Sequence, residues 1–542
     1  MQDKKLSRRS FLKASALTAA AFALDWGKMG AYAATIEKKS DYPVVVIGAG
    51  LGGLCCGAYL SRYGFPVTVV EQHSIPGGYA TSFDRGRFTF EVSLKATCLQ
   101  NNSTARILKD LGVLEKLRLV ELPEVTRIKG AGFEIPLFSR DPEGLITRLS
   151  ERFPGEKKGI RAAIEEMMVI AGESQKVAAE KGKAPVRDFS KRYPGMWNVR
   201  GKTLADFLTG YVADPALQDI LAVQWGSSGL PPSRLSAFYY AVALGETLRN
   251  GSYYVRPRAQ ALSNALAGAI ESSGGKLLYN TLAEKIVLED GKVSGVTLPG
   301  GKVVPARVVV NNGSAPTMFS NMLPAGVLPP EYSKRIDGYR PSMSMFIVWL
   351  GLNRELREKF RGYRYGVSSG QGPEADYRYG VEGVAEKGSF GVTFYDSLFE
   401  GYSAPGTSTL HISFLCGYEP WRRFENDYRA GRKQAYEKEK ERWTDILVRR
   451  AEKELIPGLS SMIEVKESAT PLTCWSFTRN VEGSIYGFEQ SLNNAYMNRI
   501  DNRTPVKGLY LSSAWGSPGG GYTGALKSGQ IAFGKILEDL AM

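Results

Sequence analysis

Histidine is nearly missing from this chain: His73 and His411 are the only two among 542 residues. The five cysteines, at positions 55, 56, 98, 416 and 474, contain no C-x-x-C pair. Zinc and iron–sulfur centres need a cluster of nitrogen or thiolate ligands, so the expectation for metals is none. An odd cysteine must also stay unpaired, and Cys55 and Cys56 read as small apolar residues packed inside. No recognisable nucleic-acid module is present. The formal charge is +14, but residues 1 to 33 carry six basic against two acidic side chains, leaving +10 for the rest. Such a charge favours an anionic surface only mildly. A chain with few ligands and no conspicuous acid–base pair has to take its chemistry from a bound cofactor.

What is present begins at Val44 to Gly53, VVVIGAGLGG. The β-branched run Val44 to Ile47 suits a parallel strand covered on both faces. Gly48, Gly50 and Gly53 complete G-x-G-x-x-G, and helix-compatible sequence runs from Leu51 to Tyr63, with Gly64 placed to end it. Gly48 permits the tight turn, Gly50 lets a diphosphate approach the backbone, and Gly53 lets helix and sheet pack closely. A second strand, Val67 to Val70, ends at Glu71, where a carboxylate can accept hydrogen bonds from an adenosine ribose. Strand, glycine triplet, helix, strand and acid in this order predict a dinucleotide site, without separating NAD from FAD. Gly77-Gly78 just after Glu71, and a second glycine loop at Gly519-Gly520-Gly521, favour FAD.

At 542 residues and 43% hydrophobic content the chain has room for two to four domains and a sizeable core. Its start reads as an address. Ser7-Arg8-Arg9-Ser10-Phe11-Leu12-Lys13 resembles a twin-arginine export signal, followed by a mildly apolar Ala14 to Leu24 and an A-x-A site at Ala31-Tyr32-Ala33. That apolar run is shorter than the roughly 20 residues of a lasting anchor. The expectation is a periplasmic protein.

VVVIGAGLGGLCCGAYLSRYGFPVTVVEQHSIPGGYATSF, together with Gln224-Trp225-Gly226 through Ser233, Ala469 to Thr473 and Gly483 to Phe488, resembles the phytoene desaturase-like flavoproteins, nearest to their carotenoid isomerase and retinol saturase branch. The resemblance implies an α/β fold: a two-dinucleotide-binding FAD domain, with a GxGxxG parallel sheet and a β-meander, interleaved with an α+β substrate domain. The expected FAD domain comprises residues 41–100, 245–312 and 466–542, and the substrate or cap domain 101–244 and 313–465. Expected cofactor contacts are Gly48, Gly50, Leu51, Gly52, Gly53, Glu71, Gln72, Gly77, Gly78 and Tyr79 at the front of the chain. At the back they are Ser512, Ala514, Gly519, Gly520, Gly521, Tyr522 and Thr523. The resemblance also implies that the helix after Gly521 aims its N-terminus at the flavin ring, where it favours the negative charge of the reduced form by about 1 kcal/mol.

The chain departs from that family's pattern in two places. Ser93 and Lys95 stand where a glycine and often a histidine occur, so Lys95 is the one catalytic candidate, against the plainer reading of a solvated or ion-paired lysine. Pro257-Arg258 replaces a glycine pair before the helix that begins at Gln260.

Other elements follow from pattern. Thr81 to Leu94 reads as a strand and loop; Thr104 to Leu117, Lys158 to Lys181 and Leu204 to Val223, broken at Asp214-Pro215, read as helices. Lys276 to Tyr279, Ala283 to Glu289, Val293 to Leu298 and Val308 to Asn312 read as strands, with a hairpin turn at Asp290-Gly291. Met343 to Leu352 and Ser408 to Leu415 read as buried strands, the second carrying His411 as a satisfied core residue. Phe238, Tyr239 and Tyr240 line a tunnel or fill a core. Arg432 to Leu455 reads as a charge-rich helix with a solvated face, whose basic side offers peripheral membrane contact.

The expected function is an exported FAD oxidoreductase: a saturase, desaturase or cis/trans isomerase working on C–C or C=C bonds of a long apolar polyene such as a carotenoid or retinoid. Its electrons pass to or from a quinone, a cytochrome or oxygen. The alternatives are an amine-oxidase-like flavoprotein and a lipid or carotenoid carrier that keeps a structural FAD.

Overall fold

The computed structural model describes residues 26–130, 132–179, 188–360, 362–495 and 498–541. The twin-arginine stretch and its apolar run lie outside the described residues. Ala31-Tyr32-Ala33 falls in the helix Trp26–Thr35, whose Met29 and Ala33 are buried beside the last helix of the chain.

A five-stranded parallel sheet forms the first layer, in the order Leu509–Leu511, Val308–Asn311, Val44–Ile47, Val67–Val70, Lys276–Leu278. Every residue of Val44–Ile47 and Val308–Asn311 is buried, as expected of central strands with both faces covered. The helix Leu51–Arg62 packs between Gln260–Ser272 and Tyr522–Ala541. A Cβ on Gly529 would stand 2.5 Å from the Gly52 carbonyl oxygen, so small residues set the spacing of Leu51–Arg62 and Tyr522–Ala541. Tyr59 and Phe533 stack across the same contact at 5.0 Å.

A three-stranded antiparallel meander, Lys285–Glu289, Lys292–Thr297 and Val303–Pro305, extends from this layer. Its hairpin turns at Asp290 and Gly291, with φ of 49° and 71°, the geometry of a type I′ turn.

The second layer is a seven-stranded sheet in the order Ile463–Ala469, Ser344–Leu352, Ser408–Cys416, Phe390–Phe394, Arg364–Val367, Glu124–Gly130, Phe133–Phe138. The expected boundary at 465/466 falls inside its first strand. Alternation divides each strand between two faces. Phe346, Val348 and Leu350, with Leu410, Ile412 and Phe414, face a core completed by Trp421 and Trp443. The helix Gln434–Glu454 buries Tyr436, Trp443 and Leu447 there and turns exposed ion pairs outward, such as Arg442–Glu386 at 3.0 Å. The opposite face carries Met345, Ile347 and Trp349 and looks into the cavity described below. A helical lobe built on Lys157–Ala179 and Ala237–Asn250 closes its far end.

Three expectations shift. Thr81 to Leu94 is a two-stranded hairpin, Ser82–Arg85 with Phe88–Glu91, turning at Gly86. The helix from Ser103 stops at Asp110, because Gly112 takes φ +65° and redirects the chain. Phe238 and Tyr240 belong to the helical core, whereas Tyr239 lines the cavity. All five cysteines are free. Among the described residues, no helix is long and apolar enough to cross a membrane.

Candidate functional site

The front of the chain builds a cradle of main-chain groups. Gly48 takes φ +92° and turns the chain from strand into helix. Glu71 is almost fully buried; its carboxylate accepts from Ala49 N at 2.7 Å and His73 N at 2.9 Å. Glu71 thus ties the glycine loop to the end of the second strand as well as facing the cavity. Gly77 N donates to Ala49 O at 2.8 Å, drawing the second glycine pair beside the first. Gln72 reaches Phe477 O at 2.7 Å, and Tyr79 OH donates to Ser484 O at 3.2 Å.

Asn312 was not anticipated. Its Oδ1 accepts from Gly53 N at 2.7 Å, and its side chain fills the space a Cβ on Gly50 or Gly53 would need. The triplet is therefore glycine partly because this asparagine lies against it.

The back of the chain meets the same loop. Ser512 Oγ donates to Gly52 O at 2.8 Å. Gly519 lies against Gln490 and Gly520 against the Tyr486 backbone, while Gly521 takes φ +82° and releases the helix Tyr522–Ala541. Tyr522 OH lies 3.1 Å from Ser93 Oγ. Arg499, also unanticipated, is 4% exposed and braces these turns: it donates to Gly516 O at 3.2 Å, to Tyr486 O and Glu489 O at 3.3 Å, and to Ala514 O. Burial pushes its pKa down to about 10.

Both glycine loops open on one cavity of about 1750 Å³. Gly48, Gly50, Leu51 and Gly52 line it from the first loop, and Glu71, Gln72, Gly77, Gly78 and Tyr79 from the segment that follows. Ala514, Gly520, Gly521, Tyr522 and Thr523 line it from the back. Gly53, Ser512 and Gly519 stand behind this wall and shape it by contact. Two helix N-termini, at Leu51 and Tyr522, front the space, the usual setting for a diphosphate and for an anionic ring. Beyond Glu71, the cavity-lining Ile75 and Leu282 remain 44% and 42% exposed. The volume exceeds the roughly 300–1,000 Å³ of an ordinary ligand pocket. It fits an extended dinucleotide with room for a second long molecule.

The remaining walls include the apolar Met345, Ile347, Trp349, Trp225 and Val242, interrupted by polar groups among which are Lys95, His411 and Arg364. Lys95 is half-buried on the cavity wall and forms no ion pair among the described residues; its Nζ donates to Ser413 Oγ at 2.9 Å. Desolvation, with Arg364 nearby, holds its pKa well below the usual range. His411 is buried; no hydrogen bond of good geometry reaches either ring nitrogen among the described residues, although backbone groups of Val92 and His411 lie close to the ring. Burial, Lys95 and Arg364 all push its pKa down. Glu91, missed in the sequence, sits under this wall and accepts from Tyr254 OH at 2.8 Å, Ala259 N at 2.9 Å and Leu94 N at 3.3 Å. Burial pushes its carboxyl up to about 7. Arg258, in place of a glycine, donates to Thr89 O at 3.2 Å and Tyr402 O at 2.9 Å, bracing the hairpin that carries Glu91.

Comparison with known proteins agrees with this geometry. The chain is 24% identical over 530 residues to prolycopene isomerase 1 of an Oncidium hybrid cultivar, covering 95% of this chain and 86% of that one. It is 25% identical over 549 residues to the all-trans-retinol 13,14-reductase of Danio rerio, covering 94% and 89%. Among solved structures, an oxidoreductase from Methanosarcina mazei superposes with a TM-score of 0.60 at 18% identity, covering 92% of this chain and 100% of that one. The cyclohexylamine oxidase of Brevibacterium oxydans does so with a TM-score of 0.56 at 15% identity, covering 92% and 98%. The family model for flavin containing amine oxidoreductases matches residues 51–537. The chain is thus an FAD-dependent oxidoreductase and belongs to the flavin containing amine oxidoreductase family.

Proposed function

We propose that this oxidoreductase acts on a C–C or C=C bond of a long apolar polyene such as a carotenoid or retinoid, as a saturase, desaturase or cis/trans isomerase. One observation carries the reading: a single cavity joins the main-chain cradle at Gly48–Gly53 to a chamber walled by Met345, Ile347, Trp349 and Trp225. When bound, FAD supplies a ring that takes up or returns an electron pair. Gly50, Leu51 and Gly52 would hold its diphosphate at the first helix N-terminus, and Glu71 its ribose. Ile75 and Leu282 offer apolar faces for its adenine. Gly520, Gly521, Tyr522 and Thr523 would hold its ring from the last helix. The chamber then orients the polyene and keeps water from the reacting bond. The two sequence relatives named above act on prolycopene and all-trans-retinol by their names, which supports the same substrate class.

The N-terminal pattern supports export by the twin-arginine route, with a quinone, a cytochrome or oxygen as electron partner, since nicotinamide pools are not expected outside the cytoplasm. Contact with a membrane surface would supply an apolar substrate. An amine substrate is the second reading, favoured by the fold neighbours. Against it, the stretch of wall at Lys95 and Arg364 carries two basic groups and no carboxylate that pairs with either among the described residues.

The test is anaerobic photoreduction of the purified, yellow protein followed by addition of all-trans-retinol or lycopene. Return of the flavin band near about 450 nm, or a shifted polyene isomer ratio, is expected. Peroxide release on adding amines under air, with no response to polyenes, would replace this reading by the amine one. Polyene binding with no flavin response and no isomer shift would leave a carrier.

A further inference from the structure

Four side chains cross the cavity-facing side of the seven-stranded sheet in one register: Trp349, His411, Thr393 and Arg364. Both ring nitrogens of His411, Thr393 Oγ1 and Arg364 Nε are buried without a hydrogen-bond partner among the described residues. His411 is 1% and Thr393 0% exposed. Buried polar atoms are almost always paired, because an unpaired one keeps its whole desolvation penalty. Orphans on three adjacent strands, in line, are covered by the chain itself, so a partner from outside the chain has to sit on the layer beside them.

The neighbouring row shows where that partner sits. It runs Ile347, Ser413, Gly391, Gly366. No heavy atom lies within 4 Å of where a Cβ on Gly366 would stand, so the floor next to Arg364 is open. From the other side Lys95 reaches Ser413 Oγ. Its backbone is fixed by Tyr363 OH, which donates to Lys95 O, and by Tyr395 OH, which donates to Leu94 O at 2.9 Å.

The charges match the geometry. Lys95 and Arg364 bring two cations into an apolar chamber, and the neighbouring charge that acts on Lys95 is the guanidinium of the same sign. No carboxylate pairs with either among the described residues. Both are half-buried at the cavity wall, and an anion between them offsets the repulsion of two like charges held in apolar surroundings. The guanidinium is a planar fork suited to a planar two-oxygen acceptor, and the donors are laid along one flat sheet layer.

We infer that this row binds the terminal carboxylate of the substrate, so that the polyene is an acid: a long apolar chain with one carboxylate end. Arg364 and Lys95 supply the charge, Ser413 on the cavity floor holds the lysine in place, and the rest of the molecule extends along the apolar wall towards the cofactor cradle. The inference rests on the polyene reading above and narrows it.

Quenching of intrinsic fluorescence in the FAD-loaded protein by all-trans-retinoic acid, all-trans-retinol and retinyl phosphate tests it. The acid is expected to bind at least about tenfold tighter than the alcohol, about the worth of one charge-assisted hydrogen bond. Arg364→Met and Lys95→Met should each bring that ratio to near one while the flavin band is retained, and Arg364→Lys should restore part of it. Equal binding of acid and alcohol by the unaltered protein overturns the carboxylate site and leaves the polyene reading standing. Tightest binding by the phosphate overturns the carboxylate in favour of a phosphate head. No binding of any of the three overturns the polyene reading itself. The comparison in the unaltered protein decides even where a variant fails to fold.

Discussion

Gly52 and Ser512, 460 positions apart, are held by a 2.8 Å hydrogen bond from the serine hydroxyl to the glycine carbonyl. The Ser512 backbone leaves less than 3.0 Å for any Cβ on Gly52. The first glycine loop and the last strand thus form one wall, and neither can move without the other.

Gly52→Ala should therefore cost about 2 kcal/mol or more, the usual penalty of overpacking where backbone meets backbone. Ser512→Ala, which removes the hydrogen bond alone, should cost about 1 kcal/mol. Thermal unfolding gives the ranking, and the ratio of flavin to protein absorbance after dialysis should fall in the same order.

Asn312→Ala removes the acceptor of the Gly53 N–H and should cost about 1–2 kcal/mol. Asn312→Asp keeps the acceptor but adds a negative charge beside the diphosphate position. It should retain more of the fold than the alanine variant and less of the cofactor, which measurement of both quantities separates.

Glu91 gives stability a pH dependence. Its carboxyl is raised from an ordinary 4.5 to about 7, so the native protein holds that proton to higher pH than the unfolded chain does. The stability this contributes is full below pH 4.5, is lost as pH rises to about 7, and stays level above. At about 1.4 kcal/mol per pK unit the change is of the order of 3 kcal/mol. Urea unfolding of wild type and Glu91→Gln, from pH 4.5 to 8, should show the variant gaining on the wild type across that window. Parallel curves would contradict it. Other titrating groups, including His411, cancel in the difference.

Arg499→Met should strand the Gly516, Glu489, Tyr486 and Ala514 carbonyls at once. A loss of about 3 kcal/mol is expected, with weaker cofactor retention because the turns before Gly520 lose their brace. Arg499→Lys should recover part of both in the same two measurements.

The cofactor end of this fold is legible because its signals are local. Val44–Ile47, Gly48–Gly53 and Glu71 sit within one short stretch, and Gln260–Ser272 carries a clean helical period. Ser344–Leu352 and Ser408–Cys416 are long apolar runs that have few other fates. The strands Arg118–Leu122 and Phe133–Phe138 are not legible: the first is charged and held by Ser252–Arg256 far along the chain, and the second is interrupted by Pro136 and lies at the sheet edge in a hairpin with Glu124–Gly130. The same holds within the site. Asn312 and Arg499 are ordinary residues in sequence and gain meaning only from the turns folded over them. The Trp349–His411–Thr393–Arg364 row exists only once four strands have found their register.

The threading of the first layer has a consequence for biosynthesis. Val308–Asn311 lies between the earliest strand and Leu509–Leu511, and the final helix closes over the first. A growing polypeptide therefore cannot complete its nucleotide pocket until residues 509–541 have been made. Prematurely stopped copies would remain colourless, with the apolar flank of Leu51–Arg62 uncovered and open to proteases. Cofactor uptake would thus report that both glycine loops have come together.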